Sequence, residues 1–495
     1  MGKQVMVVGS GFAGLTAGAL LQKEGFNVTL LEAAAEWGGC AGKFQRKNFT
    51  FPVGATLGMG FEPGGLHKKV NDYLSIKTDV SELETVMDVR IGNRLFPYYT
   101  ERSRFLTMWE KEEPNDSLRI MSFFEEVWRI GQTLRRHMLH YPVLPPQSKQ
   151  EFSAFIRGFS PMSVTLLPYL GRTLGSLVKK HKLEKCHAFT HFINGVLMDS
   201  MQTTYEKCEL MMGATALDIY HHGAFYVKGG LYRVAESLVN SLKQNGGVVK
   251  KPRKVESIRK RGDKWIIIDH RNNEYEADHV VLNVPIAAIG DLLDGSDYDK
   301  LKPSLKNKED PTLQWGTFTT YLAIRDEMIP EDLNLFHQVM IDPEQDPSGA
   351  NHFFMSLSEK DDTFRAPKGY RTMTVSTHID LKNWQSKEDY DEQSKKIYTS
   401  VLAKLEELAP GASEALPYQM TGGPRAWEKF VKRNFGGVGG FPQIKANALW
   451  KAIQHRTKVD GLWLCGDNVF PGAGSIGATS SGVHVARSIS GERIV

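Results

Sequence analysis

The feature that constrains this chain most is a glycine-rich turn close to its start, GSGFAG at residues 9–14. Before the turn, residues 5–8 form a valine-rich apolar run that predicts a parallel strand buried on both faces. After the turn, the apolar spacing predicts a helix that ends at Gly25. A strand that passes through a glycine turn directly into a helix presents free backbone N–H groups at the helix N-terminus, where a phosphate can bind.

The glycines of this turn have separate roles in a dinucleotide site. Gly9 permits the tight turn, Gly11 lets the backbone approach a pyrophosphate, and Gly14 lets the helix pack close to the strand. Phe12 and Ala13 stand between them at the helix start. We therefore expect these two residues to contact the same ligand.

An acidic residue ends the second predicted strand. That strand covers residues 27–31, and Glu32 follows about 18 residues after Gly14. A carboxylate at this place can accept hydrogen bonds from both hydroxyls of an adenosine ribose. Two strands, a helix and an acid in register predict a dinucleotide-binding site rather than a purely structural turn.

A glycine pair after the acid favours FAD over NAD as the dinucleotide. Gly38-Gly39 lie in AAAEWGGCAGKF, in a spacing that resembles the FAD-binding subset of dinucleotide-binding proteins. Glycines there let a loop pass close to the pyrophosphate, although an ordinary surface turn is an alternative interpretation. Ala33 and Cys40 flank this loop and are expected to contact the cofactor too.

A second anchoring point for the cofactor is predicted near the end of the sequence. GLWLCGDNVFPGAGSIG predicts a buried strand over residues 462–465, then Gly466-Asp467, and then a helix. An aspartate at a strand end can hydrogen-bond the ribityl hydroxyls of FAD. The helix N-terminus near Ile476 and Gly477 can stabilise negative charge on the reduced flavin ring. The alternative is a strand-turn-helix unit that binds no ligand.

The middle of the chain predicts further elements of the same domain. A Gly229-Gly230 turn is followed by an amphipathic helix and by strands through Val249 and Val255. ADHVVLNVP predicts another strand over residues 280–284. We expect the backbone at Val255 to contact the adenine edge of FAD.

These elements predict an α/β fold with a discontinuous Rossmann-like FAD-binding domain, built from residues 1–70, 216–290 and 426–495. Residues 71–215 carry helical patterns, and residues 291–425 alternate in strand fashion. The two intervening segments therefore predict an α+β substrate domain, in which helices accompany a mixed or antiparallel sheet.

Two patterns in the helical segment give specific expectations. SFFEEVWRIGQTLRRHM predicts a helix in which Ser122 and Glu125 form a capping box. MSVTLLPYLGRTLGSLVKK predicts an apolar stripe that could dock on a membrane or lie in the core. The stripe residues are Leu166, Leu170, Leu174 and Leu177. A group of methionines could line a pliable tunnel or fill the core, namely Met198, Met201, Met211 and Met212.

The motif blocks together resemble one family of flavoproteins. GSGFAG with Glu32 and Gly38-Gly39, the middle YVKGGLYR and the C-terminal GDNVFPGAGSIGATSSG are similar to the carotenoid (phytoene) desaturase, carotenoid isomerase and retinol saturase family of FAD-dependent oxidoreductases. Phytoene desaturases usually carry Arg after the paired glycines, whereas this chain has Cys40. The departure favours the isomerase, saturase or terminal-oxidase branches over plain desaturation.

The resemblance implies an elongated apolar polyene as substrate and hydride transfer through flavin N5, in a dry tunnel. It also implies that the strand of Lys228 lies close to FAD, which makes this lysine a candidate for a polar group near the ring; a surface lysine is the alternative. RNFGGVGGFP, residues 433–442, is implied to approach the flavin or the tunnel, or else is a flexible loop.

Two other functions remain open at this stage. An amine oxidase on the same scaffold would box its substrate between aromatic side chains, for which Trp427, Phe435 and Trp450 are candidates. A lipid-binding chaperone of the Rab escort or dissociation-inhibitor type would use a similar fold without flavin chemistry. The intact C-terminal motif argues against the chaperone.

Composition limits the partners and the compartment. A net charge of +4 gives no sequence-wide attraction to nucleic acid, although a pI of about 8.6 is compatible with anionic lipid headgroups. The 4 cysteines are far apart and His221-His222 would face opposite ways in an extended segment, so we expect neither a disulfide framework nor a metal site. No signal-peptide pattern or long apolar span is present, which predicts a cytoplasmic protein with peripheral membrane contact as an option.

Overall fold

The computed structural model describes residues 2–342 and 344–495. The strands are β1 Gln4–Val8, β2 Asn27–Leu31, β3 Lys43–Arg46, β4 Phe49–Pro52, β5 Val80–Glu82, β6 Thr85–Ile91, β7 Arg94–Tyr99, β8 Phe225–Val227, β9 Val248–Lys250, β10 Val255–Arg261, β11 Lys264–Asp269, β12 Glu274–Ala277, β13 His279–Leu282, β14 Trp315–Arg325, β15 Phe336–Met340, β16 His352–Leu357, β17 Tyr370–Asp380, β18 Tyr418–Gly422 and β19 Leu462–Leu464.

The α-helices are α1 Phe12–Lys23, α2 Leu66–Leu74, α3 Arg102–Glu112, α4 Ser117–Met138, α5 Lys149–Gly158, α6 Leu174–Lys180, α7 His187–Met201, α8 Leu210–Asp218, α9 Tyr232–Gln244, α10 Ile289–Leu292, α11 Gly295–Asp299, α12 Pro303–Lys306, α13 Lys387–Leu408, α14 Pro424–Ala426 and α15 Gly474–Ser490. Within the described residues, no helix combines the length and the apolar character that crossing a bilayer requires.

A five-stranded parallel sheet carries the glycine turn. Its strands lie in the order β19-β13-β1-β2-β9, so the start, the middle and the end of the chain all contribute to it. Helices α1, α9 and α15 pack together on this sheet because their apolar faces share one core. At Gly482 in α15, a Cβ would lie 2.4 Å from the carbonyl oxygen of Ala13, so glycine permits this close crossing with α1. The predicted α/β class and discontinuous Rossmann-like domain are confirmed.

A second, seven-stranded sheet has the order β18-β14-β17-β16-β15-β6-β7. Its pairs are antiparallel except for β15 with β6, so the sheet is mixed, as the predicted α+β unit allows. Helices α3, α4, α7 and α8 share a large aromatic core with β6 and β7, whereas α13 packs in a separate core with β14 and β17. The domain boundaries given above remain predictions.

Two local predictions are wrong. Helix α4 begins at Ser117 after Asp116, one turn before the predicted start, so Ser122 and Glu125 lie inside the helix and form no capping box. The predicted leucine stripe does not form one helix, because the 3₁₀ segment Pro161–Tyr169 ends and Gly171 adopts a positive φ of 70° before α6 begins. The stripe residues Leu166, Leu174 and Leu177 are buried, and Leu170 is exposed.

Candidate cofactor and substrate site

A cavity of about 810 Å³ lies between the two large sheets. Val8 at the end of β1 and Asn283 just after β13 line it on the parallel-sheet side. Thr317 of β14 and His378 of β17 line it on the mixed-sheet side. In open α/β sheets ligands bind at the carboxyl ends of the strands, and this cavity lies at that edge.

The glycine turn is packed so closely that side chains are excluded. Gly9 has a φ of 99°, and a Cβ there would lie 2.3 Å from the carbonyl oxygen of Asn283. A Cβ at Gly14 would lie 2.4 Å from the carbonyl oxygen of Gly9. The turn leads into α1, whose first N–H groups have no acceptor within the helix. This backbone fits the phosphates of a dinucleotide.

Asn283 packs against the glycine turn, and the sequence analysis did not identify it as a site residue. Its side-chain amide donates to the carbonyl oxygen of Gly9 over 3.3 Å, and it lies beneath the positions of Gly11 and Gly14. The signal that could have identified it is its place directly after a buried parallel strand, at the ligand-binding edge of the sheet.

Glu32 lies at the end of β2 and is 7% exposed. Its Oε2 accepts hydrogen bonds from the backbone N–H of Ser10 at 2.7 Å and from the Ser10 hydroxyl at 2.6 Å. Its Oε1 accepts from the backbone N–H of Ala34 at 2.6 Å. A buried carboxylate held in this way is preorganised to accept a ribose hydroxyl.

The second glycine pair crosses directly over the first turn. The backbone N–H of Gly38 donates to the carbonyl oxygen of Ser10 at 3.0 Å, and Gly38 forms an isolated bridge with Gly11. Gly38 and Gly39 have positive φ values of 99° and 57°, which favour glycine. Cys40 follows on the cavity wall, and burial raises the pKa of its thiol to about 11.

The C-terminal motif meets the cavity from the other side. Gly466 and Asp467 follow β19, and α15 begins at Gly474 with its N-terminus towards the cavity wall. A Cβ at Gly477 would lie 2.2 Å from the carbonyl oxygen of Gly472, so the first turn of α15 needs glycine here. Asp467 is held by an ion pair with Arg433, with Nη2 of the arginine 2.8 Å from Oδ2 of the aspartate.

The structure brings most of the predicted site residues together. Those that line the cavity are Gly9, Gly11, Phe12, Ala13, Glu32, Ala33, Gly38, Gly39, Cys40, Val255, Gly466, Asp467 and Ile476. Gly14 and Gly477 lie behind its wall, where they permit close packing. The contacts of these residues with a cofactor remain predictions.

Lys228 is not part of the cavity wall. Its side chain is exposed, and its backbone N–H donates to the carbonyl oxygen of Asp79. The lysine directly follows β8, which pairs with β5. Its exposed side chain outside the cavity wall favours the alternative of a surface lysine.

Apolar and titratable side chains border the part of the cavity beyond the glycine turns. Asp199 and Met201 of α7, Tyr220 and His378 all line it. Burial alone raises the pKa of Asp199 to about 6, and no hydrogen bond from the described part of the chain offsets that burial. Burial lowers the pKa of His378 to about 3, so this imidazole is neutral.

The methionines divide between cavity and core. Met201 lines the cavity, Met198 and Met211 are buried in the helical part, and Met212 is half-buried on α8. The four methionines therefore do not form a tunnel wall together. Both His221 and His222 lie on a 3₁₀ turn and bond separate partners, Thr100 and Asp218.

The predicted aromatic box does not assemble. Trp427 is buried and lines the cavity, but Phe435 is 54% exposed and Trp450 is 49% exposed, and neither lines the cavity. The glycine-rich segment 433–442 does reach the site, because Arg433 and Gly439 line the cavity wall.

Comparison with known proteins agrees with this site. A family model described as flavin-containing amine oxidoreductase matches residues 12–490. The chloroplastic prolycopene isomerase of Daucus carota is 26% identical over 506 residues, which cover 98% of this chain and 80% of that protein. The 4,4'-diapophytoene desaturase (4,4'-diaponeurosporene-forming) of Staphylococcus aureus (strain COL) is 23% identical over 313 residues, which cover 61% of this chain and 57% of that protein. A solved structure of putrescine oxidase bound to putrescine matches the fold with a TM-score of 0.64 at 12% identity, over 99% of this chain and 100% of that chain.

Proposed function

The chain belongs to the family of flavin-containing amine oxidoreductases and is an FAD-dependent oxidoreductase, and we propose that its substrate is an elongated isoprenoid polyene of the carotenoid class. The proposed reactions are isomerisation, desaturation or terminal methyl oxidation. Relatives named as a prolycopene isomerase and a diapophytoene desaturase support this substrate class. The resemblance of the three motif blocks agrees with this class.

The observation that carries the proposal is the extent of the cavity beyond the dinucleotide turns. One continuous space of about 810 Å³ reaches from Glu32 to the mixed sheet, where Phe354 and His378 line it. His378 is neutral because burial lowers its pKa, and Phe354 adds an apolar surface to the same part of the wall. An elongated apolar substrate is compatible with such walls.

In this arrangement the protein supplies binding, orientation and exclusion of water. Flavin chemistry, once FAD is bound, is hydride transfer through N5 of the isoalloxazine ring. Glu32 would hold the ribose end of FAD, the first turn of α1 would hold the phosphates, and the N-terminal turn of α15 would stabilise negative charge near the ring. The mixed sheet closes the cavity opposite these groups and keeps the polyene away from bulk water.

An amine substrate has less support from this site. Of the aromatic candidates for a box, Trp427 alone among the three lines the cavity, so the chain offers no facing pair from that set. The likeness to putrescine oxidase at 12% identity concerns the fold. The family is one of flavin enzymes, so the alternative of a chaperone without flavin is not retained.

The enzyme is also proposed to contact a membrane surface, from which an apolar polyene can be extracted. Large apolar side chains are exposed along α5 and the 3₁₀ segment after it, and together they form what we call the apolar surface. Its members are Phe152, Ile156, Phe159, Met162, Val164, Leu167, Leu170 and Trp450, all at least 42% exposed. Trp450 joins the others because its ring lies 6.2 Å from the ring of Phe155 on α5.

Charge around the apolar surface suits anionic lipid. Arg157 and Arg172 are exposed within the same stretch of chain, and Lys451 follows Trp450. Exposed apolar patches of this kind mark interaction sites, and basic residues beside them attract anionic headgroups. The exposed set differs from the predicted leucine stripe, of which Leu170 alone is shared.

The test of the substrate class is turnover by the FAD-loaded enzyme of acyclic carotenoids presented in anionic liposomes. Pigments are extracted and analysed by chromatography and mass spectrometry, while the flavin spectrum is followed without oxygen. Lost hydrogen indicates desaturation, gained oxygen indicates terminal oxidation, and altered retention at constant mass indicates isomerisation. Unchanged pigments together with flavin bleaching by primary or secondary amines would overturn the proposal and leave the FAD assignment intact.

A further inference from the structure

Arg433 lies near position 40, where phytoene desaturases usually carry an arginine. The residue after the glycine pair is Cys40, which has a short side chain and no charge at neutral pH. Cys40, Arg433 and Asp467 all line the same cavity. The guanidinium thus enters the site from a segment far away in sequence.

The guanidinium is held in one orientation. Its Nη2 and Nη1 donate to the two carboxylate oxygens of Asp467 at 2.8 and 3.3 Å, and its Nε donates to the carbonyl oxygen of Gly437 at 2.7 Å. A guanidinium has five N–H groups, so three are used by these partners and two remain. The side chain is 12% exposed and that of Asp467 is 18% exposed, which places the pair on the cavity wall rather than in open solvent.

The charges of Arg433 and Asp467 change the pKa values of the groups beside them. Burial raises the pKa of the Cys40 thiol, and the charge of Arg433 acts in the opposite direction. Burial also lowers the pKa of Arg433, but the charge and hydrogen bonds of Asp467 outweigh that effect, and the pKa lies above its ordinary value. The arginine is therefore cationic at every accessible pH, and it lies close enough to Cys40 for its charge to be felt there.

The packing of the segment explains how Arg433 reaches this place. Trp427 lies against Gly54, where a Cβ would be 2.7 Å from the indole ring and 3.4 Å from the carbonyl oxygen of Cys40. On the other side of Arg433, a Cβ at Gly440 would lie 2.2 Å from the carbonyl oxygen of Asp467. The segment that carries Arg433 therefore packs between the Gly38-Gly39 loop and the C-terminal motif.

We propose that Arg433 is an FAD-binding residue which contacts the pyrophosphate of the cofactor and replaces the arginine that is absent at position 40. A planar, permanently charged donor with N–H groups to spare is suited to phosphate oxygens. The small side chain of Cys40 leaves room for it. The competing explanation is that Arg433 only holds Asp467 in place.

The first measurement is the affinity of the apoprotein for FAD, read from quenching of flavin fluorescence. Arg433→Ala is expected to weaken binding about 10- to 150-fold, because a hydrogen bond to a charged group is lost. Arg433→Lys is expected to retain part of the affinity, since it keeps the charge without the planar fork. Lys429→Ala removes a cation from an exposed position of the same segment and is expected to bind FAD like the wild type. Wild-type affinity in Arg433→Ala would overturn the proposal.

Two further comparisons separate phosphate binding from the support of Asp467. Riboflavin lacks the phosphates, so Arg433→Ala should weaken FAD binding much more than riboflavin binding; an equal loss for both ligands would overturn the proposal. The double variant Cys40→Arg/Arg433→Ala should recover most of the lost FAD affinity, and no recovery would count against replacement of the missing arginine. If Arg433→Ala does not fold, as judged by circular dichroism, Arg433→Gln and its double variant with Cys40→Arg give the same comparison.

Discussion

The carboxylate of Glu32 accepts hydrogen bonds from both the backbone N–H and the hydroxyl of Ser10, at 2.7 and 2.6 Å. The end of β2 is thereby tied to the glycine turn that follows β1. One oxygen of the carboxylate takes both bonds from Ser10, and the other takes the backbone N–H of Ala34. Since each carboxylate oxygen has two acceptor sites, the group still has capacity for a ribose hydroxyl.

Replacement of Glu32 should therefore weaken FAD binding. Glu32→Ala removes the ribose acceptor and leaves the donors of Ser10 unpaired, so a loss of about 1–3 kcal/mol in binding free energy is expected. Glu36→Ala removes a nearby exposed carboxylate that pairs with Lys251 and should leave binding unchanged. Cofactor titration measures both variants. If Glu32→Ala retained FAD as tightly as Glu36→Ala, the ribose assignment would be wrong.

A pair of glycines in α1 allows the packing of the turn to be tested. A Cβ at Gly14 would lie 2.4 Å from the carbonyl oxygen of Gly9, whereas at Gly18 its nearest neighbour, a Val28 methyl, would be at an ordinary 3.5 Å. Gly14→Ala should lower stability by about 1–3 kcal/mol through overpacking and should impair FAD retention. Gly18→Ala should be neutral or stabilising, because alanine favours helix. Thermal unfolding with and without FAD measures both, and equal behaviour of the two variants would contradict this account.

The cofactor half of the site was largely predictable from sequence because each of its elements is local. The strand over residues 27–31, the glycine turn and the acid that follows are read from neighbouring residues, and β2 has the predicted bounds. A helix that ends near Gly25 follows from its apolar spacing, and α1 ends at Lys23. Short-range steric rules suffice for these features.

Contacts between residues far apart in the sequence could not be predicted in the same way. Arg433 reaches Cys40 and Asp467 only because a segment folds back between two motifs, and no pattern in RNFGGVGGFP encodes that path. The leucine spacing predicted one helix through Pro168 and Gly171, whereas the chain breaks there between a 3₁₀ segment and α6. Lys228 was considered for its strand, but the direction of its side chain depends on how β8 pairs.

Asp199 gives the protein a pH-dependent stability. Its pKa in the folded state is about 6, raised by burial, whereas an unfolded chain has the ordinary aspartate value of about 3.9. The folded state therefore binds the proton more tightly, so the contribution of this group to stability is present below about pH 4 and is lost as pH rises through about 6. Asp199→Asn should raise the apparent Tm at pH 8 by a few degrees, at about 1 °C per kcal/mol for a chain of 495 residues.

The difference between Asp199→Asn and the wild type should shrink as pH falls from 6 to 4, because the wild-type carboxyl becomes neutral in the folded state. Thermal scans of the FAD-loaded proteins at intervals between pH 4 and 8 give the comparison. Asp263→Asn changes an exposed aspartate in the turn between β10 and β11, outside the cavity wall, and serves as the control. A constant difference at all pH values would mean that Asp199 does not titrate in this range.

The apolar surface should decide whether the enzyme binds vesicles. Ile156 and Leu167 are 65% and 59% exposed, and transfer of such side chains into the headgroup region stabilises the bound state. The double variant Ile156→Ser/Leu167→Ser should bind vesicles of mixed neutral and anionic phospholipid about 10-fold more weakly in a flotation assay. Leu118→Ser/Leu313→Ser removes two apolar residues that are 80% and 44% exposed elsewhere on the protein, and should bind like the wild type.

Charge and apolar contact can be separated in the same assay. If Arg157 and Arg172 attract anionic headgroups, binding should weaken in purely neutral vesicles and at high salt, where exposed charges are screened. The serine double variant should lose affinity in both kinds of vesicle, because its defect lies in apolar contact. Turnover of a carotenoid presented in detergent should be unaffected by the serine changes, since these residues do not line the cavity. Equal vesicle binding by the two double variants would assign membrane contact to another face of the protein.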